Sequence, residues 1–316
     1  MNRICAICLV LVFAFWGCSA KLTKIETAKK ISEKIPAKSA FVKVDNLEIH
    51  YLEAGSGEPM ILIHGWLCSG ASWEKVIPIL AEKFHVYAID LPGHGLSDKP
   101  LTDDIRYSTD NQAKWVIGFM DRLSIEKAYI VGHSMGGEIG AKIALAAPQR
   151  VQKLVMVDAT GLEKNPKIIP FYLRMARGLH LYSPAFRMAF RTGVKIFLRL
   201  SMYYSENPVD EDFVEQLMLT TFASQKDRKC AIKVTNEGLF KSFIDDRAPA
   251  ITTPTLLVWG KYDKVVPLSL GKRYHDLIPG SKLVVIDKSG HIVPFEKPQE
   301  LCKAIFLFCD NAQGQA

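Results

Sequence analysis

Gly132-His133-Ser134-Met135-Gly136 stands directly after the apolar stretch Ala128 to Val131 and directly before a helical pattern. A strand that turns into a helix within so few residues has no room for side chains at the flanking positions. Both are therefore glycine, and the Ser134 hydroxyl is left exposed at a helix N-terminus. The surrounding pattern agrees with such a turn. Phe41 to Val44 and Leu47 to Leu52 alternate like a hairpin around Asp45-Asn46, and Met60 to Ile63 reads as a short buried strand. His85 to Ile89, Ala128 to Val131, Lys153 to Val157, Thr255 to Trp259 and Lys282 to Ile286 are further strands. Between them lie helical stretches near Ser72 to Lys83, Thr109 to Leu123, Met135 to Ala146 and Leu268 to Leu277. A helix from about Pro298 to Cys309 closes the chain. The predicted fold class is α/β, with a mainly parallel sheet flanked by helices on both faces.

The alternation stops between Gly161 and about Ile251, where the residues suggest several helices and no strand. The 316 residues are thus divided into an α/β core of 41–160 and 252–310 and a helical cap of 161–251 inserted after the sixth strand. In such sheets the site lies at the C-terminal strand edges, which the cap would cover. Lys and Arg total 40 against 33 Asp and Glu, a net charge of +7, and Gly161 to Tyr204 alone holds eight Lys or Arg against Glu163. These charges are interleaved with apolar residues and no nucleic-acid reading motif appears, so a nucleic-acid partner is not expected. The stretch either packs the cap onto the sheet or forms a basic amphipathic surface that meets anionic lipid headgroups.

Met1-Asn2-Arg3 followed by the apolar run Ile4 to Trp16 has the make-up of a signal peptide and is too short to span a bilayer comfortably. Phe15-Trp16-Gly17-Cys18 resembles the lipobox of bacterial lipoproteins. The resemblance implies a leader over 1–18, acylation of Cys18, a tether over 19–40 and a membrane-anchored, exported protein; a secreted or periplasmic one is the alternative. Six Lys between Lys21 and Lys38 suit a tether near a membrane surface. Cys5 and Cys8 would leave with the leader. Cys68, Cys230, Cys302 and Cys309 form no zinc-type CxxC pair, and Cys302 and Cys309 read as core-facing thiols.

A serine is a poor nucleophile until a base takes its proton, and the base needs a carboxylate to orient it. Among eight His, His291 follows the strand Lys282 to Ile286 in a loop, Lys288-Ser289-Gly290-His291, at the sheet's C-terminal edge. Asp263 lies just beyond another strand end in Trp259-Gly260-Lys261-Tyr262-Asp263, and Asp158, beyond the sixth strand, is its competitor. Attack by Ser134 on a carbonyl creates an oxyanion that needs two donors. The backbone N–H of Met135 is one expected donor and that of Trp66, in His64-Gly65-Trp66 after the third strand, is the other. The chemistry calls for no metal and no organic cofactor.

His64-Gly65-Trp66, the segment Asp90 to Ser97, the GHSMGG run from Gly132 to Gly137, Trp259 to Asp263 and Gly290-His291 together resemble the motifs of the α/β-hydrolase fold superfamily, over about Phe41 to Cys309. The order Ser134, Asp263, His291 is the order of that superfamily. The resemblance implies a serine hydrolase of carboxylic esters, an esterase or lipase acting on a small-molecule or lipid ester, and with the lipobox it is similar to some bacterial membrane-associated lipases and esterases. Haloalkane dehalogenases and epoxide hydrolases of this fold use an Asp nucleophile, which Ser134 argues against. A carbon-carbon bond hydrolase of the meta-cleavage type is an alternative. Those relatives typically carry Asn before the nucleophile and an aromatic residue after the His, where this chain has His133 and Ile292. A non-catalytic ligand-binding homologue is the remaining reading.

Overall fold

The computed structural model describes residues 23–162, 184–239 and 241–310. Eight strands form one sheet: β1 Lys38–Val44, β2 Leu47–Ala54, β3 Glu58–Ile63, β4 Phe84–Ile89, β5 Ala128–His133, β6 Val151–Val157, β7 Thr255–Gly260 and β8 Lys282–Ile286, in the order β1-β2-β4-β3-β5-β6-β7-β8. The β1–β2 and β2–β4 pairings are antiparallel and all others parallel. The central strands are continuous apolar runs because both sheet faces are covered. In β3, Ile61 and Ile63 enter the apolar layer on one face, while Met60 and Leu62 enter the layer on the other. Each of the four is fully buried, which contributes about 1.5–3 kcal/mol apiece.

The chain departs from the expected tether at residues 24–40. Lys24–Lys34 is a helix, α1, and β1 begins at Lys38. Thr23 and Glu26 form a reciprocal capping box at the start of α1. Ala28, Ile31 and Ile35 recur at three- and four-residue spacing and are buried in the same apolar layer as Met60 and Leu62. Lys24, Lys29, Lys30 and Lys34 of this helix lie outside that layer, and Lys30 and Lys34 reach Glu215 at 3.4 Å and Asp212 at 2.6 Å. The leader 1–18, including Cys18, lies outside the described residues. Among those described, no helix is long and apolar enough to cross a membrane.

The stretch expected as a helix at Ser72 to Lys83 is instead a 3-10 turn, Gly70–Trp73, and a short helix, α2 Ile77–Leu80. Helices α3 Thr109–Arg122 and α4 Met135–Ala146 pack against each other beside β5 and β6. The inserted segment is helical where described. It comprises α5 Pro184–Phe197, continuing into a wide π turn at Leu198–Met202, then α6 Glu211–Thr220 and α7 Gln225–Glu237. Its residues 163–183, half of the basic stretch, lie outside the described residues. After β7 come α8 Leu268–Leu277, then β8, a short α9 Val293–Glu296 and α10 Pro298–Asp310. The thiols of Cys68, Cys230, Cys302 and Cys309 are all buried and free.

Candidate active site

β5 runs into α4 through Ser134 alone. Its backbone sits at φ 54°, ψ −117°, a conformation that costs a non-glycine residue about 1–3 kcal/mol. The glycines make the turn possible: a Cβ on Gly132 would lie 2.1 Å from the Gly136 carbonyl oxygen, and one on Gly136 2.1 Å from that of Ile63. The Ser134 amide donates to Val157 O on β6 at 2.8 Å, and its carbonyl accepts from the Thr160 amide at 3.1 Å. The turn is thereby anchored to the neighbouring strand.

β8 and β7 bring the other two side chains to the same edge. His291 Nε2 is 3.1 Å from Ser134 Oγ, and His291 Nδ1 is 2.7 Å from Asp263 Oδ2. The second oxygen of Asp263 accepts the Val265 and Val266 amides at 2.7 and 2.8 Å, which fixes the direction of the first. All three residues are buried. Asp263 rather than Asp158 meets Nδ1. The Asp158 Oδ1 instead accepts the Gly260 amide at 2.8 Å. Burial first, and then the charge of Asp263, raises the Asp158 carboxyl well above the usual carboxylate range. This constellation lets His291 take the proton of Ser134 while Asp263 holds the imidazole in the Nδ1–H form.

The loop after β3 lies against the nucleophile, since a Cβ on Gly65 would stand 3.2 Å from Ser134 Cβ. His64 braces this loop. Its Nδ1–H donates to Gly65 O at 2.7 Å and its Nε2 accepts the Leu91 amide at 3.1 Å; burial, the largest effect, lowers its pKa and favours that neutral form. The Trp66 indole N–H donates to Thr235 Oγ1 on α7 at 2.8 Å, so this side chain joins the loop to the cap. Met135 is the first residue of α4, and its amide has no acceptor within the helix. Met135 thus follows Ser134 directly, and Trp66 follows the glycine that lies against it.

His133, within the motif around Ser134, makes a contact that the motif alone does not indicate. Its Nε2–H donates to the carbonyl of His291 at 2.7 Å, and burial, then the neighbouring His291, push it down to about 3, so it stays neutral. A more distant group was not foreseen at all. Glu296 Oε2 accepts the Gly290 amide at 2.8 Å, while Oε1 accepts the Tyr204 amide at 2.7 Å and Asn207 Nδ2 at 2.9 Å. The sequence holds only a carboxylate five residues after His291, with its partners some 90 positions away in the cap. A ring nitrogen of His133, one of His291 and an oxygen of Asp158 lie within 4.8 Å of one another. The ring of His291 is already engaged on both sides, by Asp263 and Ser134, and no metal role is assigned to this group.

A family model described as alpha/beta hydrolase fold matches residues 58–298. The chain is 32% identical over 268 residues to an uncharacterized hydrolase, YugF, of Bacillus subtilis, covering 82% of this chain and 92% of that one. It is 30% identical over 301 residues to the 2-hydroxy-6-oxo-6-(2'-aminophenyl)hexa-2,4-dienoic acid hydrolase of Metapseudomonas resinovorans, covering 90% and 96%. Among solved structures it superposes on a membrane phospholipase A, described as a bacterial virulence factor, with a TM-score of 0.76, 26% identity and full coverage of both chains.

Proposed function

The chain belongs to the alpha/beta hydrolase fold family, and on that premise we propose that it is a serine hydrolase that cleaves carboxylic esters through an acyl-enzyme. The observation that carries this reading is the unbroken Asp263, His291, Ser134 contact at 2.7 and 3.1 Å. Ser134 Oγ attacks the ester carbonyl as His291 Nε2 takes its proton. Asp263 stabilises the imidazolium, and the N–H groups of Met135 and Trp66 meet the developing oxyanion. His291 then protonates the leaving alcohol, and afterwards activates a water that releases the acid.

The similarity to a membrane phospholipase A supports a lipid ester as substrate. It also suits the proposal that Cys18 is acylated and holds an exported protein at a membrane surface, with a secreted or periplasmic protein as the alternative. A second reading is kept because of the ring-fission-product hydrolase that is 30% identical: cleavage of a carbon-carbon bond by the same three side chains. His133 and Ile292 weigh against it, standing where such relatives carry Asn and an aromatic residue. The deciding experiment gives the purified chain lacking residues 1–18 p-nitrophenyl esters, phospholipids and a meta-ring-fission product side by side, with fluorophosphonate labelling of Ser134. Ester turnover with labelling supports the first reading. Turnover of the ring-fission product alone overturns it.

A further inference from the structure

Asp158 directly follows β6 and has a positive φ of 48°. It is 0% exposed, one carboxyl oxygen is tied to the Gly260 amide, and the other is buried with no partner among the described residues. A buried polar atom without a partner costs about 1–3 kcal/mol, so its retention calls for an explanation. The orphaned side chain lies beside the one imidazole that the chemistry depends on. A carboxyl oxygen of Asp158 is within 4.8 Å of a ring nitrogen of His291.

We propose that Asp158 is a second acid of the site, a positioning residue that takes over the imidazole of His291 when Asp263 is lost or neutralised. The inference rests on the serine-hydrolase reading above. Two carboxyl groups close to one imidazole do not both ionise in a water-poor pocket; their surroundings drive them apart. Asp263 accepts two backbone amides on one oxygen and meets the His291 ring with the other. Asp158 has one amide, and burial, Asp263 and then Glu296 all favour its neutral form. With Asp263 replaced by alanine, the largest of the two charges opposing ionisation is gone. Asp158 then releases its proton to solvent, and its carboxylate pairs with the imidazolium that forms when His291 takes the Ser134 proton. The groups facing Asp158 are Asp263 and His291 from the loops after β7 and β8, His133 from β5 and Glu296 from α9.

The test is the rate at which a fluorophosphonate labels Ser134 in the full chain, because it reads activation of the serine whatever the natural substrate. Asp158→Asn keeps the acceptor for Gly260 and is expected within about 3-fold of wild type, Asp263→Ala about 10²-fold slower, and the double variant about 10⁴-fold slower. Labelling of Asp263→Ala should rise with pH along a limb that Asp158→Asn abolishes. The infrared absorption of protonated buried carboxyls should be stronger in the wild type than in Asp158→Asn. Thermal melts report folding, and Asp263→Asn replaces the alanine variant if that variant does not fold. The inference is overturned if Asp158→Asn slows labelling by the same factor with and without Asp263, or if alone it costs as much as Asp263→Ala. A wild type that is not labelled at all would overturn the serine-hydrolase reading, and this one with it.

Discussion

The backbone amide of His291 donates to the carbonyl oxygen of Met202 at 2.6 Å. Met202 is the last residue of the π turn that ends the first described cap helix, so the loop carrying the imidazole is hydrogen-bonded to the cap as well as to the sheet. Glu296 reinforces the join, with Gly290 on one oxygen and Tyr204 and Asn207 on the other. Glu296→Ala leaves these donors without their acceptor, and hydrogen bonds to a charged group are worth about 1.5–3 kcal/mol. We expect a lower melting temperature and roughly a 10-fold fall in kcat from a loosened His291. Glu296→Gln, which retains one acceptor oxygen, should recover part of both. Equal kcat in all three proteins would separate the cap from the chemistry.

Ser134→Ala should abolish fluorophosphonate labelling and lower kcat by about 10⁴-fold or more, with a melting curve close to that of the wild type. Gly136→Ala should behave in the opposite way. Its Cβ would meet the Ile63 carbonyl at 2.1 Å, against backbone that cannot rotate aside. The expected outcome is a loss of stability of about 3 kcal/mol or more, seen as a lowered urea midpoint. A fully stable Gly136→Ala would show that the turn is not as tight as described.

The strands and the elbow were legible because their signals are local. Apolar runs such as Met60 to Ile63 and a serine between obligatory glycines each carry their own explanation. The meeting of Ser134, Asp263 and His291 was legible for a related reason: each follows a strand end, and parallel strands bring their C-terminal ends to one edge. Glu296 was not legible, because its partners Tyr204 and Asn207 lie across the insertion. Helix α1 was misread because its lysines dominate the composition, while only Ala28, Ile31 and Ile35 carry the apolar face. The orphaned oxygen of Asp158 is a property of burial, which no spacing in the sequence encodes.

Acid should destabilise the protein in part through His133. Its folded-state value of about 3 is below the ordinary 6.5, so the unfolded chain takes up a proton that the folded chain refuses. Its contribution to stability is therefore present above pH 6.5 and is lost as pH falls from 6.5 toward 3. Glutamine at this position retains a donor for the His291 carbonyl and has no proton to gain. His133→Gln should flatten the fall of the urea midpoint across that window, and a slope identical to the wild type's would refute the assignment.

Glu74 predicts the reverse trend. Burial, then the charges of Asp212 and Asp210, push its carboxyl up to about 7 from an ordinary 4.5. Here the folded chain binds the proton more tightly, so the contribution is full below pH 4.5 and is lost as pH rises through 7. The group sits where the core meets α6, with Gln216 Nε2 donating to it at 2.6 Å. Glu74→Gln should match the wild type in melting temperature at pH 4.5 and exceed it at pH 8. Because the windows of His133 and Glu74 overlap with opposite sign, only the single variants, and not the wild-type curve, resolve them.

Helix α1 offers a direct contrast between apolar and charged contacts. Ile35 is 1% exposed within a packed layer, and truncating a buried isoleucine to alanine costs about 2–5 kcal/mol. Lys34 meets Asp212 at 2.6 Å, yet both side chains are half exposed, and such pairs contribute about 0–1 kcal/mol. In a chain lacking residues 1–18, Ile35→Ala should therefore lower the urea midpoint strongly while Lys34→Ala barely moves it. If 19–40 were only a tether to the membrane, neither change would affect stability. If the ion pairs were what fastened α1, the ranking would invert. A loss confined to Ile35→Ala would make α1 part of the folded domain, so that any anchor at Cys18 would be joined to the catalytic unit by the few residues from Ser19 to Thr23. So short a link would hold the domain close to the membrane surface.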